Sequence, residues 1–472
     1  IGGLDSVGVA TFSNFKTGST NVHSVGVEAA GINVLGADTP IGVGATIFNS
    51  GGAIFAGTSG VVTATAFHGS GANLTGIDTD LVSDTSPQLG GDLQSIGSDI
   101  LIADNRIVDV GKNLIIDGNT RVIEVNGLHV TPGLISPMSN LGIVEINSLD
   151  VTRDDESNIL NAGFSIFNAF NPNSTGIPWN RSNGVTSAIS TPSPSSFPIF
   201  GLGSYFVLDG SLQVKGTKDI AMYGRLGPSD GSRAETLAIL ESLLEAGSML
   251  KNSTVDEILE MTLADKLELQ PEDIIALGKV VNDYMPFVLE TNRAVDILQA
   301  ISMKEKYSLN LVLASVEEAP MVLDQLKNSN TPVIIDPMDN IPNSFDELGS
   351  NLNLGKILDE AGIPIMFSTQ RSHNYHLMRQ GSGNAVAYGM SYETAIEGMT
   401  NTVARTFQLS NRGSIESGKF ADIIVWDGDP LEPSSFPKIV MIEGKLHDLA
   451  SRSSKLTERY TNTEDKPSSY KH

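Results

Sequence analysis

Short apolar runs alternate with longer amphipathic stretches through the middle of the chain. The runs have the length and composition of buried strands, and they lie at 184–190, 204–210, 286–290, 310–315, 332–336 and 364–368. Between them, residues 233–247 place Leu237, Leu240 and Leu244 on one helical face. This alternation predicts parallel strands covered by helices, with enough units for an α/β fold of the eight-stranded barrel type. A doubly wound open sheet is the alternative.

The two segments that flank this region share a different pattern. Residues 98–130 and 412–446 consist of short strands joined by tight turns, as in "DILIADNRIVDVG" and "KIVMIEGKL". Each segment is too short to bury a face alone. We therefore expect them to form one composite β-sandwich beside a barrel of residues 131–411, followed by a polar tail at 447–472.

The first 97 residues form a third kind of sequence, rich in Gly, Ser and Thr. Residues 1–100 hold 19 of the 47 glycines and one lysine. The stretches 8–22 and 60–74 echo each other, which favours stacked β structure over a flexible linker. Residues 60–93 resemble repeats of bacteriophage tail-fibre proteins, and that resemblance implies an elongated homo-oligomer through residues 1–93. We expect residues 1–93 to lack a compact core of their own.

Composition excludes several classes of function. The net charge of −25 argues against a nucleic-acid partner, since phosphate binding needs clustered Lys and Arg. No apolar run reaches the ~20 residues of a membrane span, and the chain has no cysteine. It starts at Ile1 without a basic leader, which we interpret as a fragment or a processed product. Localisation is unknown from the sequence, with an exported, periplasmic or virion-associated protein among the options.

Several blocks in the second part of the chain resemble the amidohydrolase superfamily. They include "VTPGLI", "NPNSTGIPWNRSNGVTSAI", "SHNYHLMRQGSGNAVAYGM" and "GSIESGKFADIIVWDGDPLE", in the order that family keeps, over about residues 98–446. The resemblance implies a distorted (β/α)₈ TIM barrel with a small flanking β-sandwich. It also implies a site at the carboxyl ends of the strands, where active members hold one or two divalent metals such as zinc.

The same resemblance predicts a degenerate metal site. The family's His-x-His pair on the first barrel strand corresponds to Met138 and Asn140. A further histidine ligand corresponds to Glu290, and Ser315 and Gln370 lie where later ligands are expected. These five positions form a vestigial mouth, from which we expect no metal and no other cofactor.

Three residues remain as weaker candidates for chemistry. His373 and His376 are the histidines that the pattern places near the mouth, three residues apart at a predicted helix start. Ser372 or Asn374 would cap that helix in the alternative interpretation. Asp336 follows a predicted strand, as Glu290 and Asp339 lie at or just after strand ends. In the alternative interpretation, these carboxylates cap the following helices or pair with Arg293 or Arg371.

The sequence therefore predicts an amidohydrolase-like protein that is catalytically inactive and binds a small-molecule ligand at the barrel mouth. Two alternatives stay open. One is an active metal-dependent hydrolase that cleaves C–N bonds with atypical ligands. The other is a phage structural protein, in which the first 97 residues determine the role.

Overall fold

A computed structural model describes residues 98–125, 127–227, 232–261, 266–339, 342–369 and 371–461, together with the backbone of six strands between residues 14 and 55. The chain divides into two compact units, Ile1–Asp80 and Leu81–His472. Each unit is described by itself below.

The first unit contains two antiparallel three-stranded sheets. Their strands are β1 (Asn14–Thr17), β2 (Thr20–His23), β3 (Gly26–Glu28), β4 (Gly31–Leu35), β5 (Val43–Phe48) and β6 (Ala53–Phe55). The pairs β1–β2 and β4–β5 are antiparallel, with registers that include Thr17↔Thr20 and Leu35↔Val43. The predicted echo at 60–74 and the side chains that would form a core lie outside the described residues.

The second unit begins with the flanking strands. A hairpin is formed by β7 (Asp99–Ala103) and β8 (Arg106–Gly111), and β9 (His129–Pro132) leads into the barrel. The barrel sheet follows in chain order: β10 (Leu134–Ser139), β11 (Val185–Ser190), β12 (Ile199–Val207), β13 (Gly216–Arg225), β14 (Pro286–Thr291), β15 (Asn310–Ser315), β16 (Val333–Ile335) and β17 (Ile365–Phe367). The eight strands are neighbours in that order. The amide of Ile135 in β10 donates to Met399, just beyond a helix that packs on β17, so the sheet is nearly closed.

One strand corrects the expectation of a purely parallel sheet. The strand β12 runs antiparallel to both β11 and β13, while the other described pairs of this sheet are parallel. All nine residues of β12 are buried, so its apolar run identified a strand without revealing the strand's direction. Gly201 allows a register shift in β12, because its φ is +135° and a Cβ there would lie 2.5 Å from the Phe164 carbonyl oxygen.

Most helices of the described residues cover the outside of the barrel sheet, and the last of them has no buried residue. They are α1 (Gly176–Arg181), α2 (Arg233–Met249), α3 (Val255–Leu259), α4 (Pro271–Asn282), α5 (Ala294–Tyr307), α6 (Leu323–Asn328), α7 (Leu354–Glu360), α8 (Met378–Ala387), α9 (Tyr392–Glu397), α10 (Asn401–Thr406) and α11 (Arg452–Thr461). Leu240, Leu243 and Leu244 of α2 are fully buried, in agreement with the predicted apolar face. Among the helices of the described residues, none is long and apolar enough to cross a membrane.

The chain returns to the first flank after the barrel. The strands β18 (Ile423–Trp426), β19 (Pro437–Ile442) and β20 (Lys445–His447) form a four-stranded sheet in the order β20-β19-β18-β9. The β7–β8 hairpin meets this sheet through a second hydrophobic core, formed by Ile107, Val130, Ile415, Ala421, Ile423, Val425 and Met441. Residues from before and after the barrel therefore share one small core.

An ionic cluster joins the barrel to this flanking sheet. Arg412 donates to the carboxylates of Asp422 and Glu443, and Lys215 reaches Glu443 at 2.6 Å. The Arg412 guanidinium also lies 5.8 Å from the Tyr205 ring of β12. We call Arg412, Asp422, Glu443 and Lys215 the charged seam. Arg412 and Asp422 are buried, and each has a partner of opposite charge.

Candidate ligand site at the barrel mouth

A cavity of about 220 Å³ opens where the barrel strands end. It is lined by residues at or just after the carboxyl ends of seven strands, as expected for a site in an α/β barrel. The predicted residues Met138, Asn140, Glu290, Ser315 and Asp336 all line it. The structure therefore brings together residues that are spread over almost 200 positions of the sequence.

Asn140, just beyond β10, is held by hydrogen bonds through its backbone and its side chain. Its backbone amide donates to the Tyr375 hydroxyl at 3.0 Å, and that hydroxyl is 3.2 Å from the Asn140 Oδ1. The Asn140 Nδ2 donates to the Thr191 carbonyl at 3.1 Å. The Asn140 side chain therefore ties the end of β10 to the segment after β11 and to Tyr375, and both of its polar atoms have protein partners.

Burial and the amide of Asn140 also affect Tyr375. The hydroxyl is buried, which raises the pKa of Tyr375 to about 12, although its hydrogen bond with the Asn140 amide acts in the opposite direction. The phenol is therefore neutral at physiological pH and serves as a hydrogen-bonding group.

Glu290 of β14 is paired with a cation that the sequence interpretation did not identify. The Arg225 Nε at the end of β13 donates to the Glu290 Oε2 at 3.1 Å. The prediction that Glu290 pairs with Arg293 or Arg371 is wrong, because the side chains meet across neighbouring strands and Arg225↔Glu290 are register partners. The Arg225 guanidinium also lies 5.5 Å from the Phe200 ring. This wall of the cavity therefore carries one neutralised ion pair against an aromatic surface.

The neighbouring wall, at the ends of β15 and β16, carries carboxylates that are less well matched. Asp336 accepts from Arg371 at 3.3 Å, one of the pairs predicted from sequence. Asp339 accepts from the amide of Asn343 at 2.9 Å. Glu317, two residues beyond the end of β15, faces both of them across the cavity lining.

Glu317 has a strongly raised pKa. Burial raises the pKa of Glu317 to about 8, and the negative charges of Glu347, Asp339 and Asp336 act in the same direction. Ser315 and Val316, which precede it, adopt φ values of 75° and 58°. A β-branched residue rarely adopts that conformation, so the turn that presents Glu317 is strained, a feature often found at functional sites.

The two histidines are not part of the cavity lining. His376 lies in a 3-10 helix at Tyr375–Leu377, where its amide donates to the Asn180 Oδ1 at 2.9 Å and its ring packs edge-on against Trp179. Burial, with the positive charge of Arg379, lowers the pKa of His376 to about 4. His373 has a φ of 66° and its carbonyl accepts from the Asn180 Nδ2 at 2.8 Å.

The predicted helix cap at this point is wrong. Asn374 makes no cap hydrogen bond, because its Oδ1 accepts from the Trp179 Nε1 at 3.0 Å. The segment is held instead by α1, through Trp179 and Asn180. Gln370, the last member of the predicted vestigial mouth, lies outside the described residues.

These side chains do not suit a divalent metal of the family's type. A thioether such as Met138 is a soft, neutral ligand, and the Asn140 amide is already bonded. Glu290 is bound to a guanidinium that would repel a metal cation. Within the described ranges, no group of three or more His, Asp or Glu is arranged to hold a metal ion. A catalytic zinc requires three protein ligands, which the donor set at these positions does not provide.

Comparison with known proteins agrees with the architecture. The amidohydrolase family profile matches residues 252–450, which begin before α3 and end beyond β20. The crystal structure of an amidohydrolase from Thermotoga maritima MSB8 superimposes with a TM-score of 0.64 at 21% identity, covering 74% of this chain and 94% of that one. The profile match agrees with the superfamily resemblance of the sequence, and the likeness to the solved structure shows a shared fold.

A curated relative provides a local sequence match. Amidohydrolase tasK of Hapsidospora irregularis is 29% identical over 127 residues, 26% of this chain. The match spans 13% of the length of that relative. The superfamily resemblance identified from the sequence is therefore supported, and the role of each mouth residue stays a prediction.

Sequence reasoning missed three residues of this site. Glu317 lies in "SVEEAP", directly after a predicted strand, and its two adjacent carboxylates were the available signal. Arg225 ends a strand that was not predicted, so its pairing with Glu290 on the neighbouring strand was not visible. Tyr375 lies between the two histidines that drew attention, and its contact with Asn140 spans 235 residues of sequence.

Proposed function

We propose that this amidohydrolase-fold protein binds a small organic molecule in the barrel-mouth cavity and does not catalyse metal-dependent hydrolysis. The supporting observation lies at the end of β10, where Asn140 is hydrogen-bonded to Tyr375 and Thr191. An imidazole at that position would bind a metal through a nitrogen lone pair. The amide present here uses its donor and its acceptor to hold the mouth together.

The cavity itself supports ligand binding. Its walls combine apolar and aromatic surface from Phe200, Tyr223 and Val288 with converging polar groups. This mixture is typical of small-molecule sites. Tyr223 is buried and its hydroxyl donates to the Pro137 carbonyl at 3.1 Å, so that wall is fixed before a ligand arrives.

The chemistry of metal-bound water gives a second argument for the proposal. A metal lowers the pKa of bound water from far above neutrality to about 7 and so supplies hydroxide at neutral pH. The donor set here does not fit that metal, and we assign no step to it. The comparisons give no support to the tail-fibre resemblance of residues 1–97, and we propose no function for that segment.

The test is elemental analysis of the protein purified from medium supplemented with zinc, manganese and nickel. We expect much less than one metal per chain, and no hydrolysis of cyclic amides or dipeptides that is lost on chelation. The double variant Met138→His with Asn140→His is the matched comparison, since it restores imidazoles and is expected to retain more zinc than the unaltered chain.

The opposite result would favour the alternative function. About one tightly held metal per chain, with C–N hydrolysis abolished by chelator, would identify an active hydrolase with atypical ligands. The name of the curated relative, an amidohydrolase, makes this the alternative to test first.

A further inference from the structure

We propose that the ligand of the barrel-mouth cavity is a small organic cation, whose charged group lies against Glu317, Asp336 and Asp339. This inference rests on the proposed ligand-binding function and names the chemical class that the cavity takes.

The charges of the two walls are unequal. On one wall, Glu290 and Arg225 neutralise each other at 3.1 Å. On the other wall, Asp336 is neutralised by Arg371, and Asp339 is bound to a neutral amide of Asn343. Together with Glu317, this wall has more carboxyl groups than cations among the residues that the structure describes, so ionisation of Glu317 adds a negative charge that no cation there balances.

The neighbouring cations are engaged with other carboxylates. Arg233 and Arg293 both bind Asp346, and Arg293 does so at 2.7 Å. Glu347 follows Asp346 in sequence, and its negative charge acts on Glu317. Its carboxylate accepts from the backbone amide of Asn343 at 2.8 Å. On its own segment, the Glu318 carboxylate accepts from the amide of Ala294 at 2.9 Å. These contacts leave the excess negative charge at the cavity.

The state of Glu317 is consistent with a missing cation. Burial raises the pKa of Glu317 to about 8, with Glu347, Asp339 and Asp336 adding to the effect. The carboxyl therefore keeps its proton at neutral pH, which reduces repulsion on this wall. A bound cation would replace that proton as the compensating charge.

The aromatic wall suits the same class of ligand. Phe200 already lies 5.5 Å from the Arg225 guanidinium, so this surface accepts a planar cation within the protein. Tyr223 and Tyr375 add aromatic surface along the cavity. A volume of about 220 Å³ admits a ligand of one ring and one charged group.

The experiment compares three probes of one shape that differ in charge. Benzamidinium, benzamide and benzoate are titrated calorimetrically into the full chain after dialysis against chelator. We expect benzamidinium to bind at least roughly tenfold more tightly than benzamide, because one compensated ion pair is worth about that factor. Benzoate should bind most weakly. Equal affinities, tighter binding of benzoate, or no saturable binding of benzamidinium would overturn the proposal.

The pH dependence tests the role of Glu317. Binding a cation favours the ionised carboxyl and releases its proton, so the affinity should rise roughly tenfold from pH 6 to pH 7 and level off above pH 8. The variant Glu317→Gln should lose this dependence and bind benzamidinium about tenfold more weakly at pH 8. The exposed substitution Glu305→Gln is the control and should retain it. A Glu317→Gln variant that binds like the unaltered chain at each pH would contradict the inference.

The two proposals fail in different ways. Stoichiometric metal with chelator-sensitive hydrolysis overturns the proposed function, whatever the probes do. Loss of the charge preference in the dialysed protein overturns the cation proposal, whatever the metal content is.

Discussion

The charged seam and the acidic wall of the mouth both place carboxylates away from water, but they differ in how the charge is matched. In the seam, Asp422 and Glu443 share Arg412, and Lys215 adds a second cation to Glu443. In the mouth, Glu317 has neighbours of its own sign, and its pKa rises to about 8. Matched charge holds two parts of the fold together, whereas unmatched charge lowers stability and leaves a place for a ligand.

The largest effect is expected at the seam. Replacing Arg412 with Ala leaves the buried carboxylates of Asp422 and Glu443 without their shared partner. We expect this to lower the free energy of unfolding by about 3–5 kcal/mol. Urea denaturation of the full chain measures this loss. Lys215→Ala is the matched control, since Lys215 is 38% exposed and its removal should cost less than about 1 kcal/mol. Equal losses for the two variants would show that the seam does not depend on the buried cation.

At the mouth, by contrast, we expect a substitution that raises the stability of the fold. The folded state holds the Glu317 proton up to about pH 8, while the unfolded state releases it near the ordinary value, so folded stability falls as pH rises through that window. Glu317→Gln does not titrate and should therefore stabilise the protein by about 1–3 kcal/mol at pH 9 and hardly at pH 5. Thermal denaturation at the two pH values tests this. A variant that is less stable than the unaltered chain at pH 9 would show that Glu317 is a structural anchor.

A smaller effect on the pH dependence of stability is expected at His376, which lies outside the cavity lining. His376 stays neutral in the fold because burial and Arg379 lower its pKa to about 4, while in the unfolded chain it takes up a proton near the ordinary value of ~6.5. Its contribution to stability is therefore lost as pH falls from about 6.5 to about 4. His376→Gln should lose about 1–2 kcal/mol less over this range. His373→Gln keeps His376 and should retain the original acid response, measured by the same denaturation series. If both variants respond alike, the effect does not come from His376.

The parts of the fold that sequence predicted are those with a local signature. The strands at Pro286–Thr291 and Asn310–Ser315 are continuous apolar runs, and their buried residues show why those runs exist. The direction of β12 had no such signature. A strand that is buried along its whole length has the same apolar pattern whether it runs parallel or antiparallel to its neighbours. Its reversal follows from the short connections to β11 and β13, which suit hairpins better than helical crossovers.

The candidate site divides in the same way. Met138 and Asn140 were found because they depart from a spaced family motif, and the cavity confirms only that they lie at the mouth. The partner of Glu290 was assigned wrongly because a nearby arginine in sequence, Arg293, binds Asp346 on another segment. The perturbation of Glu317 depends on Asp336, Asp339 and Glu347, which a loop brings near only after folding.

The pairing of β9 with β18 sets an order of events during synthesis. The Trp426 Nε1 donates to the Thr131 hydroxyl across 295 residues, and Val130 pairs with Val425. A ribosome therefore releases the whole barrel before β9 can find its partner strand. Until then β9 lacks its partner strand, and an unpaired strand edge is the kind of segment that associates with other chains. Contacts of such long sequence separation also form slowly. Aggregation of nascent chains should accordingly begin at this edge, and holding β9 until β18 emerges is the step at which a chaperone would help most.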